Sequence, residues 1–100
     1  MTLDAWLDRH TAAAPAALRG RVWEYALAES GEAPIADRLA RAGGRALGQV
    51  TAHPGDRSVA LDLLAADALI TLALLAQAQT GPAELDAFAT SLLPAARPGT

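Results

Sequence analysis

From Ala68 to Ala83 the chain carries no charged residue, and Ala68 to Ala76 is apolar apart from Thr71. Any fold this chain adopts has to shelter that run from water. Going back to Ser58, only Asp62 and Asp67 interrupt it. Leu61, Leu64, Ala68, Leu72 and Leu75 fall on one helical stripe, and Leu63, Ile70 and Leu74 on another. The segment therefore reads as a helix over about 58–80, roughly 33 Å long at ~1.5 Å per residue. A helix apolar nearly all round belongs in an interior. It also approaches the ~20 apolar residues that span a bilayer. However, Gln77, Gln79, Thr80, Gly81 and Pro82 close the run and the two aspartates break it upstream, so a buried core helix is expected and no membrane span.

The rest of the chain supports an all-α fold. The 100 residues include 26 Ala and 16 Leu, and β-branched and aromatic residues are scarce, a composition that favours helices over strands. At 52% hydrophobic and 19% charged it is the reverse of a disordered chain. Thr2 is a candidate N-cap for a first helix with Leu3, Trp6, Leu7 and His10 on one face, and Thr11 to Ala14 reads as a connection. A second helix follows Pro15 to Ser30, with Gly31 placed to end it. Pro34 opens a third, in which Ile35, Leu39, Ala42, Ala46 and Val50 recur around Gly43-Gly44. Two glycines there predict a kink, a break or a very close helix neighbour. His53-Pro54-Gly55 ends that helix, and Asp56 or Ser58 caps the fourth. A fifth begins at Pro82, carries Leu85, Phe88, Ala89, Leu92 and Leu93 on one side, and stops at Pro94. The expected organisation is one helical domain, 1–94, with a flexible tail, 95–100.

Four shorter helices have difficulty enclosing the fourth, so association is expected, as a homodimer or with a protein partner. Candidate contact residues are Leu64, Ile70, Leu74 and Leu75, with Trp6 or Trp23 as anchors. Asp62 suits the positive end of its helix. Asp67 lies mid-helix, one turn from Thr71; it is expected to pair with an Arg of the third helix, to sit at an exposed edge, or to line a polar pocket. Arg38, Arg41 and Arg45 form a basic strip, read as a solvated face partly paired to Asp37 and Glu32 or as an anion site.

Much chemistry is missing from the sequence. There is no Cys and no Lys, and the net charge is −3, which leaves no disulfide, thiolate site or phosphate loop and disfavours nucleic acid. His10 and His53 have no carboxylate or second His at helical spacing, so no metal or cofactor is expected. No basic start precedes an apolar leader near the N-terminus. A cytoplasmic protein of a high-GC bacterium is the expectation.

Tyr25 to Gly31, Pro34, the helix to Gly48 and Ala60 to Leu64 resemble in outline the early helices of trans-isoprenyl diphosphate synthases. Glu32 and Ala33 stand where that family has basic residues, and its aspartate-rich magnesium motif does not follow. The likeness is one of Ala/Leu composition, and no functional residue carries over. The functional expectation is a non-enzymatic interaction or assembly protein. The alternative is a carrier or sensor of a small hydrophobic ligand, with Asp67 and Thr71 orienting it.

Overall fold

In a computed structural model the backbone of residues 1–96 and the side chains of residues 1–92 are described. Five helices follow one another: α1 (Leu3–Thr11), α2 (Ala16–Ala28), α3 (Ile35–Ala52), α4 (Val59–Thr80) and α5 (Leu85–Ala96). Among the described residues there is no strand, and the fold is a small all-α bundle around one long apolar helix.

Thr2 caps α1 as its sequence position suggests, its Oγ1 accepting from the N–H of Ala5 at 3.2 Å. Gly31 and Gly55 adopt φ of 108° and 87° in the turns after α2 and α3, a region open to glycine at little cost. Neither expected cap of α4 reaches into the helix. Ser58 occupies the N-cap position without a side-chain bond, and Asp56 Oδ1 instead accepts from the Ser58 N–H at 3.0 Å and hydroxyl at 3.1 Å. Those two bonds hold the Asp56 carboxyl below its ordinary range and shape the turn before the helix. Pro82 begins a 3₁₀ turn, Pro82–Glu84, and α5 starts at Leu85. On α5 Leu85, Phe88, Ala89 and Leu92 are half-buried; the Leu93 side chain lies outside the described residues.

Pro94 lies inside α5, two residues before its end, and does not stop it; the φ of proline is compatible with a helix, at the loss of the bond its missing N–H would make. Residues 97–100 of the expected tail lie outside the described residues.

The two glycines of α3 neither kink nor break it; the helix is continuous from Ile35 to Ala52. The reason lies across the interface. A Cβ added to Gly43 would stand 2.8 Å from Cδ1 of Ile70 and 3.4 Å from Cβ of Leu69. The absent side chain lets α4 approach the α3 backbone, and the close packing offsets the ~1 kcal/mol that a helical glycine costs relative to alanine. Gly44 faces open space and has no such compensation.

That contact organises the core. The buried face of α3 is Ala36, Leu39, Ala42, Gly43 and Ala46, and that of α4 is Asp62, Ala65, Ala66, Leu69, Ala73 and Ala76. Small residues dominate both, so the α3–α4 pair is a tightly apposed antiparallel hairpin. Leu3, Trp6 and Leu7 of α1 and Val22 and Ala26 of α2 complete the core.

Candidate functional site

The small inner face of α4 leaves its leucines elsewhere. Leu63, Leu64 and Leu75 are 51%, 55% and 40% exposed. Only 33% of the most apolar stretch of α4 is buried, so the helix is not enclosed on all sides within one chain. Among the proposed contact residues, Leu64 and Leu75 are exposed while Ile70 and Leu74 are half-buried. Ile70 leans over Gly43 and is part of the α3–α4 contact.

The two tryptophans serve within the fold. Trp6 is 5% exposed, stacks on His10 with ring centroids 4.0 Å apart, and donates from Nε1 to Gln79 Oε1 at 3.0 Å. The Gln79 amide reaches His10 Nε2 at 3.3 Å, while His10 Nδ1 lies 2.8 Å from the Trp6 carbonyl oxygen. A carbonyl oxygen only accepts, so Nδ1 carries the proton and Nε2 accepts from Gln79. α1 is thereby clamped to the C-terminal end of α4. Trp23 is half-buried and donates to Thr11 Oγ1 at 3.1 Å.

Thr11, read from sequence as part of a connection, is a buried junction. Its hydroxyl donates to the Leu7 carbonyl at 2.7 Å and accepts from Trp23 and from Arg19 Nε at 3.2 Å. Arg19 lies 5.0 Å over the Trp23 ring and pairs with Asp8 at 2.8 Å. Both of these exposed-edge contacts fix the α1–α2 elbow more than they stabilise it.

Of the places expected for Asp67, the structure shows exposure, with no ion pair to an α3 arginine among the described residues. Asp62 stands in the first turn of α4 as expected, and is also buried, at 6% exposed. Its Oδ1 accepts from Arg21 Nη1 at 2.5 Å and from the Tyr25 hydroxyl at 3.0 Å. The bond to Asp62 raises the Arg21 guanidinium above its ordinary range. Burial first, and the same carboxylate second, raises the Tyr25 hydroxyl above its usual 10.0. Sequence reading missed this triad because partners were sought for Asp67, on the third helix, and none for Asp62, whereas Arg21 and Tyr25 come from the second helix. Their spacing of four, which puts both on one face, was the available signal.

The basic strip is also tied down internally. Arg38 Nη2 donates to the Glu29 carbonyl at 3.0 Å, although its buried Nε has no protein partner. Arg45 pairs with the Glu29 carboxylate and donates to the Tyr25 carbonyl, both at 2.5 Å, and lies 5.6 Å over the Tyr25 ring. Arg41 is exposed. The partner of the strip is thus Glu29, at the end of α2, and not Asp37 or Glu32. A helix C-terminus favours cations, which is why two arginines converge on it.

Among the described residues, three open clefts border these features. Two, of about 270 Å³ each, share Arg21, Tyr25 and Gln49 at the mouth of the Asp62 triad. The third, about 240 Å³, brings Asp67, Ala68, Thr71 and Leu72 of α4 against His10, Leu18, Arg19 and Val22. Thus Asp67 and Thr71 do line one cleft. No group of three metal-ligating side chains occurs among the described residues. Comparison with protein-family profiles, curated proteins and solved structures returns no match.

Proposed function

We propose that the chain is a helical interaction module whose working surface is the outer leucine face of α4. The observation that carries this reading is the exposure of Leu63, Leu64 and Leu75 at 51%, 55% and 40% on a helix whose inner face is already packed. Leu64 and Leu75 share one stripe of the helix, with Leu63 about 100° round from it, and a contiguous apolar patch on a folded domain marks a contact surface. Catalysis has less support, because the polar groups of the Asp62 triad spend their bonds on one another.

Two competing uses of α4 fare less well on magnitude. By length and composition it is able to cross a membrane. That use would strip Asp62 from Arg21 and Tyr25 and carry Asp67 near the bilayer centre, at a cost of ~2.5–3.5 kcal/mol for the latter alone. The hydrophobic-ligand reading rests on the Asp67–Thr71 cleft, whose 240 Å³ falls below the ~300–1,000 Å³ of ordinary ligand pockets.

The test is binding of an apolar fluorescent dye such as anilinonaphthalene sulfonate at low micromolar protein. Replacing Leu64 and Leu75 together with Glu is expected to lower dye fluorescence several-fold and leave helicity and melting nearly unchanged. Unfolding of the variant, or unchanged dye binding, overturns the reading.

A further inference from the structure

We propose that His10 and Gln79 form a proton-sensitive latch, in which the Gln79 amide joins α1 to the C-terminal end of α4 only while the His10 ring is neutral. The latch is independent of the outer leucine face of α4.

Donors and acceptors decide its chemistry. Two side-chain hydrogen bonds join α1 to α4 among the described residues, and both pass through Gln79. The Trp6 indole N–H, 3.0 Å away, is only ever a donor, so the amide oxygen has to face it. That leaves the NH₂ group for His10 Nε2 at 3.3 Å, which then has to accept. The other ring nitrogen, Nδ1, faces the Trp6 carbonyl oxygen at 2.8 Å and has to donate. A neutral ring satisfies all three bonds. A charged ring carries a proton on both nitrogens and sets a donor against the NH₂ group. Turning the amide over gives His10 an acceptor but withdraws the oxygen from Trp6. Either way the bridge loses one of its two bonds.

No carboxylate stands ready to replace the lost acceptor. None of the ion pairs among the described residues includes His10. Arg19 of α2 and Asp67 of α4, opposite in sign, line the same cleft as the ring. Arg9 precedes it on α1, and Glu84, beyond α4, stands beside Gly81 and Gln77. The last turn of α1 and the indole face, stacked at 4.0 Å, both accommodate a cation. Charge therefore does not expel the ring; it removes the bridge. α1 then keeps its apolar contacts and the Thr11 elbow but loses its polar hold on the end of α4. Imidazole is the side chain that changes charge between about pH 5 and 8, so the latch opens in mildly acidic solution.

A double-mutant cycle isolates the bridge, because the indole stack and the helix end act on His10 whether or not Gln79 is present. His10→Phe keeps a ring on the indole and removes both nitrogens, and Gln79→Ala removes the amide. Gln79 is exposed and His10 half-buried, so these variants are expected to fold. In urea unfolding at pH 8 the coupling is expected to favour the folded state by about two- to tenfold in the equilibrium constant. At pH 5 it is expected to vanish or change sign. Gln79→Glu supplies a carboxylate able to accept from the indole N–H and from a charged ring together. In that background the loss caused by His10→Phe is expected to grow several-fold from pH 8 to pH 5. Absence of coupling at pH 8, or equal coupling at both pH values, overturns the latch. So does a loss in the Gln79→Glu background that fails to grow on acidification.

Discussion

The two faces of α4 use the same two residue types in opposite ways. The buried face of α4 is built from Ala65, Ala66, Ala73 and Ala76, with Leu69 as its one large apolar side chain. The face turned outward carries Leu63, Leu64 and Leu75. Hydrophobicity alone would place the leucines inside. What places the alanines there is distance: helices that approach closely enough to seat Ile70 over Gly43 have room for few large side chains between them, Leu39 and Leu69. Close packing of small residues holds the hairpin together, and the displaced leucines stay exposed. The two aspartates divide in the same sense, Asp62 inward among hydrogen bonds and Asp67 outward in water.

Several substitutions sharpen or break that contrast. Asp62→Ala strands the Arg21 guanidinium and the Tyr25 hydroxyl and is expected to destabilise by about 2–3 kcal/mol. Asp67→Ala, on the same helix, should stay within about 0.5 kcal/mol. Urea unfolding of both variants checks this, and comparable losses would show that the two aspartates are not distinguished as described. Gly43→Leu forces a side chain into Ile70 and should cost about 1–3 kcal/mol. By contrast, Gly44→Ala meets nothing within 4 Å and should stabilise by about 0.5–1 kcal/mol. Thermal melts of the two glycine variants are expected to move in opposite directions.

The smallest effect concerns pH. Tyr25 keeps its proton to higher pH in the folded chain than in the unfolded one. Its contribution is therefore complete below the unfolded value of 10.0 and is lost as pH rises through the higher folded value. Urea midpoints between pH 9 and 11 should fall, and Tyr25→Phe should flatten that decline. An equal decline in the variant would remove Tyr25 as its cause.

The number and order of helices were legible in the punctuation. Thr2, Gly31, Pro34 and Gly55 each act locally, and local chemistry is readable along a chain. What was not legible was long-range choice. The uncharged run announced a helix needing shelter, but helical periodicity offered two leucine stripes and no means of preferring the alanine face between them. Gly43-Gly44 held the missing information, because a close approach demands small residues on both partners, and only contact with Leu69 and Ile70 shows which side of α4 supplies them. The Asp62 triad was hidden for a related reason. Its members lie 37 and 41 positions apart, and nothing in either segment names the other.

The division of α4 into a packed inner face and a free outer face is tested most directly by truncating one leucine on each. Leu69 is fully buried and Leu64 is 55% exposed. In urea unfolding at low micromolar concentration, Leu69→Ala is expected to lose about 3 kcal/mol and Leu64→Ala less than about 1 kcal/mol. Equal losses at the two positions would contradict the account.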